Sequence, residues 1–411
     1  MSLPFRSALA QSNGRVRLME AHDGTSEDNV RRAVGTDNQA SFHGLWISSL
    51  TQTTRLGIPD SELISPWQRA SLIDFYPGAA QDSKCRRLCA AFDADSGGPA
   101  AEIPALVATL TGLGIGMVVI EDKEMLRPGD KVNSLSNSAS QRQVGVHEFA
   151  RTIQTFKAAL ERKDLIVTAR IESLTTRAAQ SDAAAEKLSV QAALDEALAR
   201  SDVYRDAGAD AIMIHSKSEQ PDEVLSFLRR FRAKDLHTPL VVVPTAYSRT
   251  PEDDLYNAGA NVVIYANHLM RAKIKACEDI SQAVLTKQLD LFPLEPEFDV
   301  CLRAQNFGCL VSCMERSEKL TREAEAYLAG LEAAAAERMK VVATRLLDTK
   351  TSCGADEYLI SVKELLDINS RQISYGLGVT APVVQPHEDT DVPRVAETND
   401  GLEVGRTNGY P

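Results

Sequence analysis

The chain has 411 residues, a quarter of them charged, and a formal net charge of −12. That length exceeds one average domain, fits a single α/β barrel with additions, and holds a core that needs no disulfide staples. The acidic balance argues against a general nucleic-acid binder, and no apolar run reaches membrane-spanning length. Seven cysteines form no metal-type array; with an odd count and no signal peptide, they point to reduced thiols in a cytoplasmic protein.

Residues 1–14 read as a loose N-terminal arm, and 17–22 as a first strand ending at His22. A helix capped by Thr25 or Ser26 runs to about Val34. A second apolar run, 44–47, ends in Ser48-Ser49-Leu50, and 57–62 is a turn-rich loop. A third run, 88–92, leads into Asp93-Ala94-Asp95-Ser96-Gly97-Gly98. Two carboxylates two residues apart at a strand end project the same way, and the small residues after them allow a sharp turn and close approach of a ligand. Two readings stay open on these residues alone. One is a site for a hard divalent cation such as Mg²⁺, which takes oxygen ligands and keeps several waters. The other is an Asx-type turn closing a strand.

A helix follows over 100–113, then a strand over 117–120 that runs into Glu121-Asp122-Lys123 and a polar loop to about Gln143. A helix at 146–162 precedes a strand at 165–171, which contains Arg170 and is followed by Glu172. An Ala- and Thr-rich stretch, 174–186, leads into a long helix ending near Ala207, and 209–215 is a strand ending at His215. Then come a helix at 219–230 and a strand at 240–243 closed by Pro244-Thr245. Thr250-Pro251-Glu252-Asp253 starts another helix, and a strand at 262–265 and a helix at 267–285 complete the pattern. Eight strands alternating with helices predict a parallel (β/α)8, TIM-like barrel with its chemistry at the strands' C-terminal ends. Acids, Arg and His recur at those ends, with Thr245 and Asn267 among them, which points to one shared site for an anionic ligand and a metal. Beyond it, 290–375 reads as a helical extension and 376–411 as a disordered polar tail, leaving 15–289 as the barrel.

Arg17-Leu18-Met19-Glu20-Ala21-His22-Asp23-Gly24, Gly44-Leu45-Trp46, Asp93-Ala94-Asp95, Glu121-Asp122-Lys123 with Asn133-Ser134 beyond it, Ala169-Arg170-Ile171-Glu172 and His215-Ser216-Lys217 together resemble the phosphoenolpyruvate mutase branch of the isocitrate lyase superfamily. The similarity covers roughly 15–287 and resumes at 360–364. The resemblance implies a Mg²⁺-dependent homo-oligomer, dimer or tetramer, with a C-terminal helix swapped between subunits. It implies a phosphorylated keto or enol acid as substrate, with a phosphoryl group moved between the enol oxygen and C3 of pyruvate, as in phosphonate biosynthesis. Carried over residue by residue, Asp93 binds the metal directly, and Asp95 and Glu121 hold its waters. Trp46, Ser48, Ser49 and Leu50 form a lip around the substrate, Lys123 lies at the substrate, and Asp60 sits beside the transferring group. Lys131, Asn133 and Ser134 belong to a gating loop, and Arg170 and His215 bind the phosphoryl oxygens.

Departures from the family pattern are specific. Nine residues, 124–132, separate Glu-Asp-Lys from Asn-Ser where the family has five; Ser49 stands where Gly is usual, and Ala94 follows Asp93 in place of Gly. The segment 174–190 and the stretch at about 290–355 are also longer. A variant substrate, a carboxylated phosphoenolpyruvate or its arsenic analogue, therefore stands as an alternative. So do a phosphonopyruvate hydrolase, which carries Thr where this chain has Asn133, and a carbon–carbon lyase. The lyases present Lys-(Lys/Arg)-Cys-Gly-His in the gating loop, and 121–143 contain no Cys and only Gly129.

Overall fold

The computed structural model describes residues 3–286, apart from 37–39, 76–85, 135–140, 161–163 and 180–181. The helical extension, the swapped helix and the disordered tail expected after residue 290 lie outside the described residues. Eight parallel strands, β1 (Val16–Glu20), β2 (Gly44–Ile47), β3 (Cys89–Asp93), β4 (Met117–Glu121), β5 (Ile166–Ile171), β6 (Ala211–Ile214), β7 (Leu240–Val242) and β8 (Val262–Tyr265), close into a barrel in sequence order. Leu18 of β1 lies opposite Gly44 on one side and Ile264 on the other, which completes the ring. The expected (β/α)8 fold is the observed one.

The period of two along each strand sets which face each side chain takes. Val16 and Leu18, Cys89 and Ala91, Met117 and Val119 pack together inside the barrel. Their neighbours Leu45, Ala90, Phe92, Val118 and Ile120 pack against the outer helices. Continuing the period to the strand ends puts Asp93, Glu121, Arg170 and His215 on the interior side. Gly44 is required on this inner wall: a Cβ there would lie 2.4 Å from Cys89 Sγ and 2.7 Å from Leu18 Cδ2.

Eleven helices are described: α1 (Phe5–Gln11), α2 (Gly24–Arg32), α3 (Ser49–Leu56), α4 (Pro66–Ser71), α5 (Ile103–Gly112), α6 (Val146–Leu160), α7 (Ser173–Thr176), α8 (Ala183–Asp206), α9 (Asp222–Arg232), α10 (Glu252–Ala258) and α11 (His268–Thr286). None is long and apolar enough to cross a membrane. Local features differ from the sequence reading, among them the end of β1 at Glu20 where the strand was expected to reach His22. First, the stretch read as a loose arm holds α1, whose Phe5 and Ala8 are buried among the barrel-interior residues. Leu3 N–H donates to Leu88 O at 3.2 Å, so α1 plugs the end of the barrel opposite the catalytic mouth. Second, α2 is capped by Asp23, which accepts from Ser26 N–H at 2.8 Å while its own N–H donates to Ser26 Oγ at 2.9 Å. Third, two short helices fill the run between β2 and β3. In α4 the Ser65–Gln68 capping box and Pro66 in the first turn supply the start signal. The strands β3 and β4 also run one residue further than read, through Asp93 and Glu121.

Phe5→Ala removes the ring that seals the barrel floor, and we expect a loss of about 3–5 kcal/mol in stability. Urea unfolding of the full chain measures it.

Candidate active site

The turn after β3 carries the two carboxylates. Asp93 ends the strand; Asp95 sits at φ 49°, in the left-handed region that Asp tolerates better than most residues. Gly98, at φ 73°, leaves space for α4, since a Cβ there would lie 2.9 Å from Pro66 Cδ. The approach of α4 delivers Arg69, which is buried and donates from Nη2 to Asp95 Oδ2 at 2.8 Å and from Nη1 to Gln52 Oε1 at 2.6 Å. The loop after α3 is tied to the same turn: Glu62 accepts from Ser96 N–H at 3.1 Å and from Ser96 Oγ at 2.6 Å. That tie holds Asp60, two residues earlier, at the mouth.

Residues 124–134 fold down over this floor as a closed lid. Lys131 Nζ donates to Asp60 Oδ1 at 3.0 Å, to Ser49 Oγ at 3.2 Å and to Asp95 Oδ1. Asn133 Nδ2 donates to the other Asp60 oxygen at 3.1 Å. Ser134 Oγ accepts from Arg170 Nη2 at 2.6 Å and from Lys123 Nζ, and Lys123 also donates to Val132 O at 3.0 Å. Beneath the lid Arg170 pairs with Glu172 and lies 3.3 Å from Glu121.

What remains under the lid is a cavity of about 60 Å³, room for roughly four to six water molecules. Trp46, Ser48, Ser49 and Leu50 line one side, Asp60, Asp93 and Glu121 the floor, and Lys131, Asn133 and Ser134 the roof. Arg170, His215, Thr245 and Asn267 complete the polar wall. Two expected site residues are set back from it. Asp95 lies beneath, between Arg69 and Lys131, and Lys123 supports the lid from behind. Sequence reasoning missed Arg69 and Glu62; neither stands at a strand end or in a recognisable spacing. The apolar contributors Met213, Val243 and Ala266 were within reach, since the barrel's period of two places them inward.

Charge is unevenly satisfied. Burial and the neighbouring Asp95 charge push the Asp93 carboxyl above its usual range despite Lys131, Arg170 and Arg69. Burial likewise raises Glu121, against the pull of Lys123 and Arg170. Burial also opposes ionisation of Asp95, but Lys131 and Arg69 overcome it and hold that carboxyl below the usual range. Burial, with Arg170 adding to it, pushes His215 down to about 3, so its imidazole is neutral. Four polar atoms of cavity-lining residues lack a hydrogen-bond partner: Trp46 Nε1, Glu121 Oε2, His215 Nδ1 and Asn267 Oδ1. Buried polar atoms seldom go unmet, and these belong to side chains that line the cavity.

The donor set fits a magnesium-type ion. Asp93 and Glu121 are cavity-lining carboxylates whose ionisation burial opposes, and Glu121 Oε2 accepts no hydrogen bond. Among the described residues no three acidic, imidazole or thiol groups converge to cage an ion by themselves. One carboxylate held directly, with further acids reached through water, is the arrangement Mg²⁺ adopts.

A barrel mouth with acids on the floor, an arginine and a neutral histidine on the wall and a polar lid defines an α/β-barrel enzyme site for a small anionic molecule. The chain belongs to the phosphoenolpyruvate phosphomutase family, whose model matches residues 5–285. It is 30% identical over 290 residues to the phosphoenolpyruvate phosphomutase of Tetrahymena pyriformis, covering 70% of this chain and 85% of that one. It is 32% identical over 244 residues to the phosphonopyruvate hydrolase of Variovorax sp. (strain Pal2), covering 59% and 75%. The solved phosphoenolpyruvate phosphomutase of Streptomyces platensis subsp. rosaceus superposes with a TM-score of 0.59 at 29% identity, covering 76% of this chain and 97% of that one. The protein is thus an enzyme of the phosphoenolpyruvate mutase/isocitrate lyase superfamily, with both mutases and a hydrolase among its relatives.

Glu62 makes stability pH-dependent. Burial and the Asp95 charge push its carboxyl up from 4.5 to about 8. The folded chain keeps this proton where the unfolded chain has lost it, so the penalty grows as pH rises from 4.5 towards 8. Glu62→Gln removes the penalty. In metal-free buffer the variant should gain on the native chain between pH 5 and pH 8 by on the order of a few kcal/mol, read as the difference in urea unfolding at the two values.

Proposed function

We propose that this enzyme is a Mg²⁺-dependent mutase that interconverts phosphoenolpyruvate and phosphonopyruvate. The observation that carries the reading is the lid: Lys131 and Asn133 both close on Asp60, and Ser134 meets Arg170, leaving a small polar cavity shut off beneath them. In the forward direction the bond between the enol oxygen and phosphorus breaks and one between C3 and phosphorus forms. The migrating group is metaphosphate-like, so it needs positioning and charge stabilisation more than covalent help. It also needs shelter from water, which would otherwise capture it.

Each side chain has a part in this scheme. Asp93 would hold Mg²⁺ directly and Glu121 would reach it through water, while Asp95, whose two oxygens are taken by Arg69 and Lys131, would support the pair from beneath. Bound there, the ion supplies charge stabilisation to the enolate oxygen of pyruvate. Ser48, Ser49 and Leu50, at the start of α3, cradle the substrate carboxylate. Arg170 offers a planar fork to the phosphoryl oxygens, and neutral His215 donates a ring N–H to them without adding charge. Asn133 and Ser134 close the opposite side with an amide and a hydroxyl. Lys131 brings a cation against the substrate and, through Asp60, keeps the lid shut while the group travels.

A second reading, hydrolysis of phosphonopyruvate to pyruvate and phosphate, draws on the 32% identity to the Variovorax hydrolase. The resemblance of Asn133 to the mutase pattern favours the first. Incubation with Mg²⁺ and phosphonopyruvate, followed by ³¹P NMR, separates them: conversion of the phosphonate signal to phosphoenolpyruvate is expected, and free phosphate as the sole product would favour the hydrolase. Asp93→Ala should lower turnover at least a thousandfold with the fold retained. Asn133→Thr should raise the share of free phosphate in the product, since a smaller side chain no longer bridges to Asp60.

A further inference from the structure

Arg69 is buried to 1% exposure although the site does not use it on its wall. A buried guanidinium is costly unless its donors and charge are matched, and this one has three polar partners and a carboxylate among them. Nη1 donates to Gln52 Oε1 at 2.6 Å, and Nη2 donates to Asp95 Oδ2 at 2.8 Å and to the Asp93 carbonyl. Its plane lies over the Phe92 ring, 4.5 Å from the centroid. The three polar partners belong to different parts of the mouth. Gln52 is on α3, behind the Ser48–Ser49–Leu50 lip; the Asp93 carbonyl ends β3; Asp95 is the left-handed corner of the next turn.

The two oxygens of Asp95 are divided: Oδ2 goes to Arg69 and Oδ1 to the lid's Lys131. A carboxylate on a short side chain in a left-handed turn has few ways to present one oxygen upward. Fixing the lower oxygen fixes the upper one. We infer that Arg69 is a positioning residue for lid closure: it clamps Asp95 so that the free oxygen meets Lys131, forming an Arg69–Asp95–Lys131 chain from the barrel wall to the lid. The same clamp joins α3 to β3, so the lip and the latch keep one geometry. This role concerns the lid and does not depend on which reaction proceeds beneath it.

Hydrogen exchange read by mass spectrometry on the full-length protein tests it, with the amides of residues 124–134 as reporters and those of β4 and β5 as the fold control. Asp130 N–H, which donates to Arg127 O at 3.1 Å, and Val132 N–H, which donates to Gln141 Oε1 at 2.7 Å, lie on either side of Lys131. Arg69→Met should speed exchange of the lid at least fivefold with the strand amides unchanged. Asp95→Asn should do the same. The double variant should be no faster than the quicker single one, because both act through one contact. Arg69→Lys, which keeps the charge and one donor, should recover part of the protection. If Arg69→Met does not fold, the double variant, which removes both charges, is compared with Asp95→Asn alone. Equal lid exchange in those two supports the clamp, and additional opening in the double overturns it. Unchanged lid exchange in a folded Arg69→Met would also overturn it, as would additive effects of the two single changes.

Discussion

Asp60, Asp93, Asp95, Glu121 and Glu172 are each no more than 7% exposed, and carboxylates kept from water ionise only where cations or donors reach them. Four cations do: Arg69, Lys123, Lys131 and Arg170. Isolated surface pairs contribute little, but in a buried cluster the loss of one partner strands a charge and is strongly destabilising. The placement of these cations therefore decides the state of each acid. Asp95 and Glu172, each with a close cation, are held low. Asp93 and Glu121, whose cations stand further off or are shared, are pushed up. Asp93 and Glu121, on the cavity floor, are therefore carboxylates whose ionisation an added dication would support.

Such a cluster needs a rigid frame, and here the frame starts in the local sequence. Gly98 gives α4 room to approach, Ser65 and Pro66 start that helix, and the helix carries Arg69 beneath Asp95. Glu62, itself in the left-handed region, fastens the Asp60 loop to Ser96. Behind the lid, Asp122 accepts from Tyr204 OH at 2.7 Å, Gln143 Nε2 at 3.0 Å and Glu172 N–H at 2.9 Å. These contacts bind the lid's return to α8 and to the end of β5. An electrostatic site of this kind depends on donors that do not move when charge appears, and each contact removes a freedom from one of them.

The barrel was legible because its signal is repeated. Eight apolar runs, each with a period of two and a helix after it, reinforce one another, and the same period aims Asp93, Glu121, Arg170 and His215 inward. Elements that carry no repeat escaped. Helix α1 is two turns long, and its buried Phe5 gains meaning only from the barrel end it covers. Arg69 lies on a six-residue helix, too short to show a face, and a single buried arginine has no periodic signature. Asp95 pairs with Asp93 in sequence, yet its positive φ turns the side chain towards Arg69 and Lys131, beneath the cavity wall. A two-residue spacing assumes an extended backbone, and that assumption ends with the strand.

The lid's extra length resolves in the same physical terms. Lengthening a loop from five residues to nine adds about 0.5 kcal/mol of closure entropy, a small term beside the several charged contacts at its tip. The added stretch faces outward: Leu126 is 70% exposed, and Arg127 pairs locally with Asp130 at 3.6 Å. Only Lys131, Asn133 and Ser134 reach the cavity. The lid therefore has an outer arch, with Lys131, Asn133 and Ser134 on its inner surface. The departure that does reach the substrate space is Ser49, whose hydroxyl donates to Asp93 Oδ2 at 3.2 Å and accepts from Lys131 at 3.2 Å. It adds a polar atom between Asp93 of the floor and Lys131 of the roof, and so bears on the substrate space more directly than the outward-facing lid residues do.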